Sequence, residues 1–226
     1  MIDLQFFGRG AGFNPALGNT NAWFRLDNHL VMLDCGESTF AAVSRYPGLK
    51  GLDSVTVLLT HMHADHVGSL ASLCSFNYFV LGRKVLVVHP VQAVQQLLRL
   101  QGIGDEVYNW SPSWPAHLPV QVEAHKVRHV PDMQCFAYNI GDADEQIYYS
   151  GDSAEFPARV AQGLESGHYA RVYHDMASHE SATHCPVWDV EAAVPAALRK
   201  RVWAMHLDGD CLEDFRSRGF SVVGDV

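Results

Sequence analysis

The chain has 226 residues, 48% of them hydrophobic, and a formal net charge of -9. That length and apolar content are enough to bury one sizeable core, so a single domain over residues 1–226 is expected, and disordered, collagen-like and coiled-coil classes are excluded. The acidic balance argues against a large nucleic acid as partner, because neutralising phosphates needs clustered Lys and Arg, while a small anion held by metals stays allowed.

No apolar run approaches about eighteen residues and no basic start leads into an apolar segment and cleavage site. No membrane association and a cytoplasmic location are therefore expected. Cys35, Cys74, Cys135, Cys185 and Cys211 are odd in number and lack Cys-x-x-Cys pairing, a pattern that fits buried thiols better than a disulfide framework or a thiolate zinc site.

In chain order, Leu4 to Phe7, Ala22 to Leu26, Leu30 to Leu33 and Val55 to Leu59 read as short strands separated by Gly and Asn turns. Gly8-Arg9-Gly10-Ala11-Gly12 is read as a turn and not a dinucleotide loop, since no helix follows it. Ser38 to Arg45 predicts the first helix, Val67 to Phe79 continues with helical spacing, Lys84 to Val88 is a buried strand, and Val91 to Leu100 is an amphipathic helix. Glu106 to Pro119, with Trp110, Trp114 and three prolines, is expected to be an ordered loop. Strands follow at Val120 to His129, Cys135 to Ile140 and Gln146 to Ser150, with Gly141 to Glu145 as a hairpin turn. Helix Ala154 to Leu164, strand Ala170 to His174, helix Val187 to Leu198 and strand Val202 to His206 complete the chain before a short tail. Strands alternating with helices predict a layered α/β fold. No internal repeat is visible, so any pseudo-symmetry is structural only.

Histidine is the outstanding excess, with 13 in the chain. His61-Met62-His63-Ala64-Asp65-His66 directly follows the apolar run Val55 to Thr60. A strand ending in such a turn can aim His61 and His63 at one ion and Asp65 and His66 at a second, about 3.5–4 Å away, as in two-metal hydrolases. Further donors stand where strands end: His129, Asp152 and His206.

Through this His-x-His-x-Asp-His element, followed by an isolated His, Asp and His in that order, the chain resembles the metallo-β-lactamase superfamily. The resemblance implies a four-layer αββα sandwich with the site along one edge of its two sheets. It assigns His61, His63 and His129 to a first divalent ion and Asp65, His66 and His206 to a second, with Asp152 bridging; Asp65 is counted among the catalytic residues as well. Asp34 matches the Asp that holds the His-rich loop or orients a ligand imidazole. Imidazoles and carboxylates suit Zn2+ and also tolerate Mn2+, and a water held between two ions has its pKa lowered to about 7. The ligand set alone leaves phosphodiester and acyl substrates both open.

His174-Asp175, with His184 nine residues after Asp175, looks like the tRNA 3′-processing endonuclease branch. On that likeness His184 donates a proton to the leaving alkoxide and Asp175 orients it, with His179 as a substitute acid. The chain departs from that branch in having Asp where Glu is usual, in Cys185-Pro186 after the later His, and in leaving no room for a protruding arm between His129 and Asp152. Gly18 to Ala22, the His174-Asp175 end, Leu198 to Arg201 and Trp203 to Leu207 are similar to the phage anti-Pycsar phosphodiesterases. This resemblance implies a homodimer that hydrolyses cyclic mononucleotides to linear monophosphates, with Phe76, Tyr78, Trp110 and Trp114 as possible faces for the base. A lactonase or other acyl hydrolase, a tRNA 3′-processing-type endonuclease and a non-catalytic nucleotide-binding protein are the alternatives.

Overall fold

The computed structural model describes residues 2–209 and 211–224; Met1, Asp210, Asp225 and Val226, which fall within the expected 1–226 span, lie outside the described residues. The described strands form two six-stranded sheets of the same design. In the first, β1 (Gln5–Gly8), β2 (Asn21–Leu26) and β3 (His29–Leu33) run antiparallel. From β3 onward the pairing is parallel through β4 (Ser54–Leu58), β5 (Val85–Val88) and β6 (Tyr108–Ser111). In the second, β7 (Gln121–Val127), β8 (Cys135–Gly141) and β9 (Gln146–Tyr149) are antiparallel. Pairing then turns parallel through β10 (Tyr169–Asp175), β11 (Val202–Met205) and β12 (Ser221–Val222).

The strands are cut from β-branched and apolar residues because most are covered on both faces. Between the sheets, Phe24, Val31, Leu33, Leu58 and Val88 meet Phe136, Tyr138, Ile140, Ile147, Tyr149, Tyr173 and Met205. The opposite face of the first sheet, with Leu30, Met32, Val55, Val57, Val85 and Val87, packs against α1 (Thr39–Val43), α2 (Ala64–Val67), α3 (Leu70–Ser75) and α4 (Ala93–Leu100). The outer face of the second sheet packs against α5 (Ala158–Ser166), α6 (Val187–Ala193) and α7 (Leu212–Ser217). Each fully buried Val, Leu or Phe in these three layers contributes roughly 1.5–3 kcal/mol. Polar ties also cross between the sheets just past the end of β4: the buried Tyr138 hydroxyl donates to the carbonyl of Leu59, 2.7 Å away, and the Phe136 N–H to the carbonyl of Thr60, 3.0 Å away. All five cysteines are buried thiols.

The four expected layers are present, and several boundaries differ. The helix expected over Val67 to Phe79 is broken into α2, α3 and a π-helical turn at Phe76–Val80. The break falls at Ser69, whose hydroxyl is drawn to the carbonyl of Gly36, 2.5 Å away, fastening the segment to the loop after β3. The Glu106 to Pro119 stretch contains β6, paired with β5 from Val85↔Tyr108 to Val88↔Ser111. The helix expected over Val187 to Leu198 ends at Ala193, because Pro195 cannot continue it, and a 3-10 segment Ala196–Arg201 leads into β11. The short tail supplies α7 and the edge strand β12. Among the described residues no helix is long and apolar enough to cross a membrane.

Candidate metal centre and active-site cleft

The parallel strands of both sheets deliver their C-terminal ends to one edge of the sandwich. Asp34 follows β3, Thr60-His61 follows β4, Asp152 lies beyond β9, Asp175 ends β10, His206 follows β11, and His129 sits in the β7–β8 connection. Asp34 (φ 67°) and His206 (φ 60°) have left-handed backbone, a conformation that costs a non-glycine residue on the order of 1–3 kcal/mol and persists only where the surroundings fix it. The Asp34 N–H is held by the carbonyl of Leu58 at 2.9 Å, and the His206 N–H by Thr20 Oγ1 at 3.1 Å.

Three groups of donors converge and all include Asp152; two of them take in the expected ligands, and the third joins Asp152 and His206 to Asp175 and His184. In the first, His63 Nδ1 lies 2.9 Å from His61 Nε2 and 3.3 Å from His129 Nε2. Asp152 Oδ2 is 3.8 Å from His61 Nε2 and 3.6 Å from His129 Nε2. In the second, Asp65 Oδ2 is 3.3 Å from His66 Nε2 and 3.2 Å from His206 Nε2. Asp152 reaches His66 Nε2 through Oδ1 at 3.2 Å and His206 Nε2 through Oδ2 at 3.4 Å. Ligands about 2.0–2.1 Å from a tetrahedral ion stand roughly 3.4 Å apart, so both clusters have the spacing of a cation's ligand shell.

The protonation pattern divides the imidazoles. His129 Nδ1 faces the carbonyl of Thr183 at 2.8 Å; a carbonyl only accepts, so the proton is on Nδ1 and the Nε2 lone pair is turned into the cluster. His66 Nε2 is buried without a hydrogen-bond partner, facing Asp65 and Asp152. Burial, reinforced by His66, pushes His61 well below the usual imidazole range, which favours the neutral ligand form. Burial pulls the same way at His66 and His206, but carboxylates outweigh it: Asp152 and then Asp34 raise His66, and Asp152, Asp175 and Asp65 lift His206 to about 10. Burial would raise Asp152, yet His206 and His66 hold it well below the ordinary carboxylate range. The donors, imidazole nitrogens and carboxylate oxygens without a thiolate, therefore fit a divalent cation of the zinc or manganese type.

Asp34 stands behind the centre, fully buried. Its Oδ2 bonds His66 Nδ1 at 2.8 Å, and it accepts from the Thr60 N–H at 2.7 Å and the Thr60 hydroxyl at 2.9 Å. Thr60 Oγ1 also lies 3.0 Å from His61 Nδ1. One carboxylate thus fixes the outward nitrogens of two imidazoles, one directly and one through Thr60. Two glycines allow the loops to close in. A Cβ on Gly36 would stand 1.8 Å from the carbonyl oxygen of Asp65, and one on Gly12 would stand 3.0 Å from Asp65 Oδ2.

His184 and Asp175 also meet at the centre: His184 Nδ1 lies 2.7 Å from Asp175 Oδ2, while Asp175 Oδ1 is 3.6 Å from His206 Nδ1. The His184 ring stacks on His206 with centroids 4.9 Å apart. Burial would lower His184, but the Asp175 bond outweighs it and raises it above the ordinary imidazole value. His179 lies further out on the rim, 64% exposed and paired with Asp208 at 2.7 Å. His174 is buried, its Nδ1 turned to the carbonyl of Asp175 and its ring against Phe156.

A cleft of about 700 Å³ opens over both clusters. Its wall includes Asp65, Asp152, His184 and His206, and its rim carries Gly12, Phe13, Glu37, His179 and Asp208. None of the aromatics expected to carry a base is there: Phe76, Tyr78 and Trp110 pack against the core outside the first sheet, and Trp114 packs between the sheets. The residues not anticipated are Phe13, Glu37, Thr60 and Asp208. Only the Gly8–Gly12 run offered a signal for Phe13, since closely spaced glycines mark a backbone that approaches something tightly.

The fold has many relatives. The metallo-beta-lactamase fold protein YhfI from Bacillus subtilis superposes with a TM-score of 0.76 at 17% identity, covering 98% of this chain and 95% of that one. The short form of human tRNase Z superposes with a TM-score of 0.68 at 18% identity, covering 99% and 95%. The family described as Anti-Pycsar protein Apyc1 matches residues 2–223. The chain belongs to this anti-Pycsar Apyc1 family. A member from Bacillus phage 010DV004 is 26% identical over 242 residues, which is 95% of this chain and 91% of the relative. The likeness to these structures shows a metallo-β-lactamase fold, and the two donor clusters give it a centre suited to divalent metal.

Proposed function

We propose that the chain is a binuclear metal-dependent phosphodiesterase that opens cyclic mononucleotides to linear monophosphates, and so counteracts a cyclic-nucleotide antiphage signal. The observation that carries this reading is the sharing of Asp152 between two donor clusters with the His184–Asp175 pair at the same cleft, in a chain of the anti-Pycsar family. His61, His63 and His129 would hold one ion, Asp65, His66 and His206 the other, with Asp152 between them. Two such ions supply Lewis-acid stabilisation of the phosphoryl oxygens and activation of water.

The residues of the chain supply orientation and a proton. Asp34 and Thr60 hold His66 and His61 in the ligating orientation. Water adds to phosphorus and gives up a proton to solvent, and one P–O bond of the ring breaks. The departing ribose oxygen takes a proton from His184 Nε2, the nitrogen left free by the Asp175 bond, which solvent then reprotonates. Asp175 keeps that imidazole protonated and aimed. Glu37 and Asp208 on the rim, with no Lys or Arg among the cleft-lining residues, favour a singly charged phosphodiester over a polyanion such as tRNA. A homodimer fits the family resemblance and is open to sedimentation analysis.

The test is a panel of cyclic mononucleotides, cyclic dinucleotides, precursor tRNA and homoserine lactones offered to zinc- or manganese-loaded protein. Conversion of cyclic mononucleotides to linear monophosphates, lost in Asp152→Ala, is expected. Turnover of lactones alone would make the chain an acyl hydrolase.

A further inference from the structure

Phe13 is fully exposed, at 105% of its reference surface, on the rim of the cleft. Most exposed hydrophobic side chains need no explanation; this one sits on a rigidly held loop above the chemistry. The Ala11 N–H donates to the carbonyl of Leu207 at 2.9 Å, and the Leu207 N–H returns a bond to Arg9 at 2.8 Å. Asn14 closes the far side, its N–H on the Ala11 carbonyl at 2.9 Å and its side-chain amide on the Leu207 carbonyl at 3.3 Å. Between these anchors, Gly12 lies so close to Asp65 that a Cβ there would stand 3.0 Å from its carboxylate. The loop is thus fastened to the segment carrying His206 and rests on Asp65, while its one large side chain is left in the solvent at the cleft mouth.

We propose that Phe13 is the platform on which the nucleobase of the substrate stacks, which makes it a binding and specificity residue. The inference rests on the reading of the substrate as a cyclic nucleotide. A cyclic mononucleotide has one charged end and one flat, neutral end. With the phosphate at the donor clusters, the base extends towards the rim, where Phe13 presents an uncommitted π-face. Phe76, Tyr78, Trp110 and Trp114 are packed against the core and lie outside the cleft lining, so they are unavailable for this role. Aromatic stacking is tolerant of base identity, so the platform should bind purine and pyrimidine substrates alike. A loop already anchored on both sides loses little further entropy when the base arrives.

The test compares wild type, Phe13→Ala, Phe13→Leu and Phe13→Trp on a 3′,5′-cyclic mononucleotide and on 1-O-methylribose 3′,5′-cyclic phosphate, which keeps the phosphodiester ring and lacks the base. Phe13→Ala should raise KM for the nucleotide roughly tenfold or more while kcat holds. Phe13→Trp should restore the wild-type KM, Phe13→Leu should not, and the gap between wild type and Phe13→Ala should close on the abasic ring. An unchanged nucleotide KM in Phe13→Ala, or full rescue by Leu, overturns the platform. So does a rise in KM that tracks dissociation of an oligomer in sedimentation, which would assign Phe13 to a subunit contact. If wild type opens no cyclic nucleotide, the proposed function itself fails; if wild type is active and Phe13→Ala matches it, only the platform fails.

Discussion

His129 donates from Nδ1 to the carbonyl of Thr183, 2.8 Å away and one residue ahead of His184. The side chain that offers Nε2 to the first donor cluster therefore also fastens the loop carrying the proposed proton donor. Ser181 stiffens that loop, its hydroxyl accepting from the N–H groups of Thr183 and His184 at 3.3 and 3.1 Å.

His184→Ala is expected to lower kcat on a cyclic nucleotide by roughly 10²–10⁴-fold, the usual worth of a positioned acid. The loss should be much smaller on a p-nitrophenyl phosphodiester, whose leaving group departs without a proton. Equal losses on both would remove His184 from the acid role.

Asp175→Asn bears on the pH profile. A general acid works while protonated, and Asp175 raises His184 above the ordinary imidazole value, so the alkaline limb of kcat lies above that value in the wild type. Without the carboxylate the limb should move to lower pH. An unmoved limb in a folded, metal-loaded variant would separate Asp175 from the titration.

Metal binding should release protons. His206 is held at about 10 by Asp152, Asp175 and Asp65, so in chelator-stripped protein at neutral pH it carries a proton that a cation must displace. Affinity should then rise with pH up to that value and fall as the solution is acidified. Calorimetry in buffers of differing ionisation enthalpy should give at least one proton released for each protein loaded.

Asp34→Asn keeps the size of the side chain while weakening its grip on His66 and Thr60. Affinity for metal should fall by roughly 10–100-fold, the usual cost of losing a group that orients a ligand. Competition with a chromogenic chelator measures this directly, and the far-ultraviolet circular dichroism should stay unchanged.

Gly36→Ala tests the close approach of two loops. Its Cβ would stand 1.8 Å from the carbonyl oxygen of Asp65, so the loop bearing the second cluster has to move. A destabilisation of roughly 1–3 kcal/mol is expected, seen as a lowered Tm, together with reduced metal occupancy.

The centre was legible in sequence because four of its donors are packed into the His61 to His66 turn at the end of an apolar strand, where local spacing dictates spatial proximity. His129, Asp152 and His206 were legible as donors at the ends of strands. Their convergence was not, because it depends on how the two sheets dock. The interruption at Gly68-Ser69 escaped a reading based on helical periodicity, since its cause is a long-range bond from Ser69 to Gly36. β6 was hidden among tryptophans and prolines, for Trp110 and Asn109 carry no alternation that distinguishes an edge strand from a loop. The aromatics were misplaced for a related reason: Trp110 and Trp114 have the right chemistry for a base, but sequence does not say which face of which layer they cover.

The two sheets share one strand order, and the ligand candidates are divided between them: His61, His63, Asp65 and His66 from the first half, His129, Asp152 and His206 from the second. Neither half holds a complete ligand set by itself. A nascent chain that has formed only its first sheet would bind cations weakly. Full affinity would arrive with the docking of the second, so that charging with metal reports correct assembly and then clamps it. Chelation should accordingly lower the Tm, although the apolar layer shared by the two sheets stays in place.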